Sequence, residues 1–305
     1  MPELDPVAEA RFSRLAVTPM RTVGAVAGAS PRALLTSLRD IWAHREMLDL
    51  LVRRDLKARY KDSALGFVWA LIRPLIQLGI YFVVLGHFLG AARGIPDFAV
   101  YVFTGLTAMG LFQEIAVGGT GSVLANAGLV KKVYMPRELF PLASTGSALF
   151  NFGIQILVLL AATIAVGSFP VHANIVYVIP ALGVILVFGL AFALFFSAVN
   201  VYLRDTQYLV EVATLLLFWM SPVVYSWQMA QGILTNRIVL EIYTNNPLTL
   251  AILGFQRAFW VSGDALAYPS HLAIRLAVAL VVGLALLFLT HRFFLRLQGN
   301  FAQEL

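Results

Sequence analysis

Long apolar runs separated by short polar segments dominate the chain after residue 64. Six runs are predicted to be membrane-spanning helices: residues 65–89, 98–124, 142–166, 175–203, 208–225 and 271–290. A helix needs about 20 apolar residues to cross the ~30 Å hydrocarbon core of a bilayer. Residues 226–270 hold apolar runs too short to cross, which favours re-entrant or interfacial helices there. The pattern predicts an all-α membrane protein with six transmembrane helices, over residues 63–297.

The segment before the first apolar run is polar and mixed. We predict a flexible cytosolic extension over residues 1–30 and an amphipathic helix region over residues 31–62. Ser30 and Pro31 mark its start, because serine is a preferred N-cap and proline suits the first helical position. Apolar residues then recur at helical spacing, with basic residues on the other side, as in a helix that lies on a membrane surface. Residues 298–305 form a predicted cytosolic tail.

Two charges interrupt the apolar side of that amphipathic helix. Asp55 and Arg59 are four residues apart with the acid first, a spacing that suits a local ion pair. A helix that faced only lipid would not carry charges there. We therefore expect something polar, such as protein, to contact this face.

Composition and charge agree with a membrane protein and give its orientation. Of the 305 residues, 60% are hydrophobic and 12% charged, whereas soluble domains are about 25% charged. With the N-terminal side taken as cytosolic, seventeen Lys and Arg lie in inner segments and four in outer ones. Cytoplasmic loops carry such an excess, so we predict that both termini are cytosolic. The net charge of +6 then requires no nucleic-acid partner.

The sequence lacks the motifs of several kinds of catalysis. It has no cysteine, no G-x-x-x-x-G-K-[ST] loop, no Gly-Lys pair, and neither H-E-x-x-H nor G-x-S-x-G. Without a phosphate loop the chain is not expected to bind ATP by itself. No cluster of acids suggests a metal-dependent membrane transferase. We predict a non-catalytic membrane subunit with no cofactor or metal of its own.

Proton-coupled transport is an alternative, because acids within a membrane mark proton or ion pathways. Glu114 and Glu211 are the candidates. Glu211 is expected near the inner surface, and no intramembrane base lies near Glu114 in sequence. The two similar halves that ion-driven carriers tend to show are not detected. These observations weigh against proton coupling.

Aromatic residues recur every seven positions in the first and fifth predicted spans. One interpretation is that they face lipid or pack, with some in an interfacial belt. The other is a pore wall of rings, which suits sugars because their C–H faces stack on aromatic rings while hydroxyls reach polar groups. Both interpretations stay open. The candidate channel-lining residues are Phe67, Tyr81, Phe88, Phe218, Trp219 and Tyr225.

Three stretches carry a family resemblance over residues 34–297. They are LRDIWAHREMLDLL followed by VRRDLKARYKDSALGFVWALIRPLI, then VKKVYMPRELFPL, and more weakly the NPL before the last span. They resemble the transmembrane permease subunit of ABC-2 type polysaccharide exporters, which move lipid-linked O-antigen, teichoic acid or galactan out of the bacterial cytosol. A small-lipid or drug exporter of the same class is the alternative, although such members usually lack the RDLKxRYK pattern.

The resemblance implies partners and sites. Such permeases reside in the inner membrane as homodimers with two copies of an ATPase subunit, which binds the ATP and magnesium. The first and fifth spans would line the path, and the short helices of residues 226–270 would form an outer gate. The implied ATPase interface has two parts, an interface helix and a coupling helix. Its residues are Arg53, Asp55, Lys57, Arg59, Tyr60, Lys61, Lys131, Lys132, Tyr134, Met135, Pro136 and Arg137.

Overall fold

The structure is a computed structural model that describes residues 37, 39–60, 68–88, 90, 93–133 and 135–305. Within that part of the chain all regular secondary structure is helical. The predicted extension over residues 1–30 lies outside the described residues.

The helices are numbered here in chain order. They are α1 (Arg45–Tyr60), α2 (Trp69–Ile80), α3 (Phe98–Ala125), α4 (Ala127–Lys132), α5 (Leu139–Val166), α6 (Val178–Tyr202), α7 (Thr206–Trp219), α8 (Trp227–Ile233), α9 (Arg237–Thr244), α10 (Pro247–Phe259), α11 (Leu272–Leu297) and α12 (Phe301–Glu304). A π-helix (Tyr81–Phe88) continues α2, and a 3-10 helix (Ala173–Tyr177) precedes α6. Two shorter 3-10 turns are Val261–Gly263 and Gln298–Asn300.

Five of the described helices are long and apolar enough to cross a membrane: α2 with its π-helix, α3, α5, α6 with its 3-10 turn, and α11 with its extension. The number is six if α9 and α10, bent by 71° at their junction, are taken as one broken span. An all-helical architecture with five or six candidate membrane spans is therefore confirmed for the described residues. Five predicted spans correspond to these helices, and the fifth predicted span does not.

The fifth predicted span, residues 208–225, is shorter in the structure. Helix α7 is 14 residues long and ends at Trp219, so it rises only about 21 Å. The cause is Pro222, which lacks a backbone N–H and disfavours helical geometry in the residue before it. The seven-residue repeat predicted that Tyr225 shares a helical face with Glu211 and Phe218. Tyr225 instead lies beyond the end of the helix.

The first span keeps its predicted position but changes helix type halfway. Pro74 lies inside α2, and the π-helix begins at Tyr81. Because a π-helix pairs residues five apart instead of four, a seven-residue repeat no longer returns to the same face. Phe88 accordingly leaves the predicted aromatic face, and it is 79% exposed.

Helix α3 is the centre of the bundle and packs against α5, α6 and α10. Small residues allow its close approach to α6, because a Cβ on Gly119 would overlap the Cβ of Ala193. Close packing of small residues is how membrane helices gain contact without a hydrophobic driving force. Helix α10 is buried along nearly its whole length, so it belongs to the core of the bundle.

The segment after α7 is not helical and lies at the end of the bundle that contains α9, which we name the α9 end. Buried side chains hold it by hydrogen bonds to its backbone carbonyls. The Tyr101 hydroxyl lies 2.9 Å from the carbonyl oxygen of Pro222 and 2.6 Å from that of Tyr225. Gln256 donates its amide N–H to the same Pro222 carbonyl at 2.7 Å, and the Trp260 indole N–H donates to the carbonyl of Pro96. Pro222 and Tyr225 lie beyond the last residue of α7 and Pro96 precedes α3, so these bonds satisfy carbonyls of non-helical segments.

Charged residues cross-link the elements at the α9 end. Arg275 of α11 makes a two-point ion pair with Glu241 of α9, with N–O distances of 2.6 and 3.2 Å. Asp264 accepts contacts from His172 at 3.0 Å and Arg257 at 3.4 Å. Tyr268 packs over the Arg257 guanidinium, and burial raises the pKa of this tyrosine well above its usual value, which keeps it neutral.

At the opposite end of the bundle, which we name the α1 end, α1 contacts α5 and the residue between α3 and α4. Helix α1 packs on α5, where a Cβ on Gly146 would lie 2.8 Å from a methyl of Val52. Arg54 donates to Asp55 at 2.8 Å and to the Asn126 side-chain oxygen at 2.7 Å. This contact fixes α1 to the residue between α3 and α4.

A buried polar cluster lies at the same end. The Ser37 hydroxyl donates to Glu138 at 3.1 Å and lies 3.1 Å from Nε2 of His291. His291 Nε2 and the Glu138 carboxylate are 3.5 Å apart. Ser37 and Glu138 both contact Nε2 of His291. In a hydrolytic triad the serine contacts one imidazole nitrogen and the carboxylate contacts the other. The cluster therefore connects the N-terminal segment, the α4–α5 loop and α11 without forming a catalytic triad.

Candidate functional site

A cleft of about 670 Å³ opens between α2, α3, α5 and α7, with the end of α1 at its edge. Its lining is mixed, with charged, amide and aromatic side chains and glycines. The lining residues are Arg59, Pro74, Gln77, Tyr81, Phe103, Leu106, Met109, Gly110, Gln113, Glu114, Val117, Gly118, Gln155, Glu211, Leu215, Phe218 and Trp219. Polar side chains at membrane depth are costly and usually face a cavity, which makes this cleft the candidate functional site.

The charged part of the cleft joins three helices. Asn151 of α5 donates its side-chain N–H to Oε2 of Glu114 on α3 at 2.9 Å. A guanidinium nitrogen of Arg59, at the end of α1, lies 3.9 Å from the same oxygen. Both charged side chains remain partly accessible, at 47% and 33%. The amide and the guanidinium offset the cost of placing a carboxylate inside the bundle.

Amide side chains form the second part of the lining. Gln77 comes from α2, Gln113 from α3 and Gln155 from α5. Glu211 of α7 accepts a hydrogen bond from Gln207 at 3.0 Å. Each amide offers both donors and an acceptor, so the lining can bind hydroxyl groups of either orientation.

Aromatic rings form the third part, where α7 meets the first span. The rings of Tyr81 and Phe218 are 6.2 Å apart between centroids. Phe218 and Trp219 meet edge to face at 5.3 Å. Phe218 is buried, whereas Trp219 is exposed and Tyr81 partly exposed. Accessible rings beside amides suit a ligand that has both C–H faces and hydroxyl groups, as sugars do.

The structure brings together three of the six predicted aromatic residues. Tyr81, Phe218 and Trp219 line the cleft. Phe88 lies outside it, and Tyr225 donates its hydroxyl to the carbonyl of Trp219 at 3.1 Å without joining the lining. Phe67 lies outside the described residues.

The predicted interface residues of α1 separate into two groups. Arg53 makes an exposed pair with Asp49 at 2.8 Å, and Lys57 is exposed. Arg59 instead faces the cleft. The predicted Asp55–Arg59 pair does not form, since Asp55 pairs with Arg54 and Arg59 with Glu114. Lys61 and the side chain of Tyr60 lie outside the described part of the chain.

The predicted coupling segment is a short basic helix with apolar anchors. Lys131 and Lys132 are exposed at the end of α4. Val130 and Met135 are buried in the core at the α1 end. The lysines are therefore presented outward from a fixed helix. Pro136 and Arg137 are half-buried, and Tyr134 lies outside the described residues.

Sequence reasoning did not single out the amides of the cleft. Gln77, Gln113 and Gln155 each lie on a different helix, so no motif or period connects them. Their rarity in otherwise apolar spans was the available signal. The described residues include no group of three or more His, Cys, Asp or Glu that could hold a metal ion.

Comparison with known proteins gives a consistent picture. The family described as "ABC-2 type transporter" matches residues 47–260. The chain is similar to the O-antigen export system permease protein RfbA of Klebsiella pneumoniae, at 30% identity over 244 residues, 79% of this chain and 90% of that protein. It is 28% identical over 227 residues to the protein of that name in Myxococcus xanthus, covering 74% and 85% of the two chains. A shorter match, 31% over 84 residues, is to the polysialic acid transport protein KpsM of Escherichia coli, 27% of this chain and 32% of that protein.

Proposed function

This chain belongs to the ABC-2 type transporter family, and from that premise we propose that it is the membrane-spanning permease of a polysaccharide exporter. The cargo is a lipid-linked polysaccharide of the O-antigen, galactan or teichoic acid type. It leaves the cytosol through the inner membrane, and the energy comes from ATP hydrolysed with magnesium in a separate subunit. The chain itself catalyses no reaction.

The cleft between α2, α3 and α7 carries this proposal. It combines the accessible rings of Tyr81 and Trp219 with amides from three helices. A glycan alternates apolar C–H faces with hydroxyl groups, so both kinds of lining contact it as it moves. The similarity to permeases named for O-antigen export supports the same cargo class.

A second copy of the chain completes the path in this proposal. The two helices beside the cleft are poorly covered by the rest of the described chain: α2 has no buried residue. Helix α7 exposes Leu209, Val212 and Leu216. A homodimer with α2 and α7 near its axis would enclose the cleft from both sides.

The ATPase partner is proposed to bind at the α1 end of the bundle. Arg53 and Lys57 of α1 and the two lysines of α4 are exposed there. The concentration of basic residues at this end supports a cytosolic location for it and for both termini. Because the sequence has no phosphate loop, ATP has to be bound by the partner.

One observation favours the second candidate, export of a small lipid or drug. The cleft volume of about 670 Å³ lies within the ~300–1,000 Å³ range of small-molecule pockets. A test must therefore offer both kinds of cargo.

The proposal is tested with the chain and its ATPase partner in inverted membrane vesicles. ATP-dependent uptake of a lipid-linked polysaccharide is measured by its protection from an added glycosidase, beside uptake of a fluorescent short-chain lipid. We expect polysaccharide uptake, reduced several-fold by Tyr81→Ala with Trp219→Ala and retained in Phe169→Ala, which removes an exposed ring outside the cleft. Uptake of the lipid alone would favour the second candidate. ATP hydrolysis by the isolated chain would refute the proposal that a separate subunit hydrolyses the ATP.

A further inference from the structure

We infer that the cleft selects an uncharged polysaccharide over one that carries an acid on every repeat unit. This inference rests on the proposed function and narrows its cargo class. Two observations support the inference: which charged residues line the cleft, and which of them are paired with an opposite charge.

The charged groups of the cleft do not balance. Glu114 and Glu211 contribute two carboxylates, whereas Arg59 contributes one guanidinium. The guanidinium is directed at Glu114, 3.9 Å away. Glu211 receives only a neutral donor, the Gln207 amide, and makes no ion pair among the described residues. One exposed negative charge on α7 is therefore left without a counter-charge in the lining.

The remaining polar groups of the cleft are neutral. Gln77, Gln113 and Gln155 each provide donors and an acceptor. Hydroxyl groups can pair with these amides in either direction and can donate to the carboxylates. A neutral glycan therefore finds a partner for its hydroxyls at each position, and its C–H faces meet the rings of Tyr81 and Trp219.

An acidic polymer meets a different situation in the same cleft. Each of its carboxylates passes Glu211 in surroundings where charges are screened less than in bulk water. A single anionic group, such as the linkage to the lipid carrier, passes once and can be offset by Arg59. A charge on every repeat unit has to pass the same carboxylate at every step, and one arginine already close to Glu114 cannot offset all of them.

Two polymers that differ only in charge test the inference. One is a lipid-linked galactose polymer, and the other is the same polymer after oxidation of its primary hydroxyls to carboxylates. Uptake of each is measured in inverted vesicles that contain the chain and its ATPase partner. We expect the neutral polymer to enter roughly 10- to 20-fold faster, the factor for two like charges roughly 10 Å apart at an effective dielectric constant of about 20.

Charge variants show whether the discrimination comes from the cleft. Glu211→Gln and the double variant with Glu114→Gln should lower the ratio of neutral to oxidised uptake towards one. Glu304→Gln removes an exposed acid of α12 outside the cleft and should leave the ratio unchanged. About 1 M salt should also reduce the ratio, because the Debye length falls to ~3 Å. Equal uptake of the two polymers by the unmodified chain would overturn the inference and leave the proposed function standing. Uptake of neither polymer would overturn both.

Discussion

Removal of one buried hydroxyl should destabilise the bundle, because that hydroxyl holds the chain where α7 ends. Tyr101 is 1% exposed, and its hydroxyl lies within hydrogen-bond distance of the carbonyls of Pro222 and Tyr225. In Tyr101→Phe the Pro222 carbonyl keeps the amide of Gln256. The Tyr225 carbonyl loses its donor. A buried polar group without a partner costs about 1–3 kcal/mol, which is the expected loss in the free energy of unfolding.

Tyr225→Phe is the matched control, since it deletes the same atom from the same residue type. The Tyr225 hydroxyl donates to the carbonyl of Trp219 in an exposed position, where water can replace the lost donor, and its partly buried contact with the Tyr243 hydroxyl is long, at 3.4 Å. Its expected cost is within about 0.5 kcal/mol, as for most surface substitutions. The two variants therefore delete the same chemical group and differ mainly in how deeply it is buried.

The comparison can be made by reversible unfolding in mixed micelles, with increasing mole fraction of a denaturing detergent and helix content followed by circular dichroism. Equal unfolding free energies for the two variants would show that the Tyr101 hydroxyl does not hold the end of α7. The same pair can be compared in the vesicle assay. Because Phe218 and Trp219 are the last residues of α7, a loosened helix end should also slow polysaccharide uptake.

Two further predictions concern the α1 end and the helix packing. Lys131→Glu with Lys132→Glu should abolish polysaccharide uptake while membrane insertion is retained, because the exposed lysines of α4 are proposed to meet the ATPase; retained uptake would argue against that contact. Gly119→Ala should destabilise the bundle by about 1–3 kcal/mol in the micelle assay, as overpacking does, because its Cβ would overlap Ala193. Gly153→Ala places its Cβ in open space and should be tolerated. Similar stability of the two variants would contradict the close α3–α6 contact.

Much of the fold could be predicted from hydrophobic run length, because a membrane span requires a length of apolar sequence and little else. The positions of α3, α5, α6 and α11 follow from it directly. Run length cannot show where an apolar run stops being helical. Residues 208–225 are largely apolar, with Glu211 as their one charge, yet α7 ends at Trp219. Pro222 was visible, but the buried donors that hold the chain after it, Tyr101 and Gln256, come from distant helices.

The candidate site was predictable only in part, for a similar reason. A seven-residue repeat identifies a face only while the helix keeps one geometry. It therefore held for Tyr81 and failed for Phe88, which is the last residue of the π-helix, and for Tyr225, which lies beyond the end of α7. The amides of the cleft lie on three helices and form no pattern along the chain. Only the folded bundle places them beside the rings.

Arg59 lies on the helix proposed to contact the ATPase and also lines the cleft. The charges in the apolar face of α1 predicted a polar contact, and for Arg59 the described contact is Glu114, inside the same chain. The same helix presents Arg53 and Lys57 outward, on the side proposed for the ATPase. Because α1 is a continuous helix over 16 residues, a partner that shifts its exposed residues also shifts Arg59 against Glu114. Both side chains are partly accessible and 3.9 Å apart, so solvent screens their attraction, and a displacement of Arg59 changes how far it offsets the carboxylate of Glu114. In the proposed exporter, α1 is the described element through which movement of the ATPase would reach the cleft.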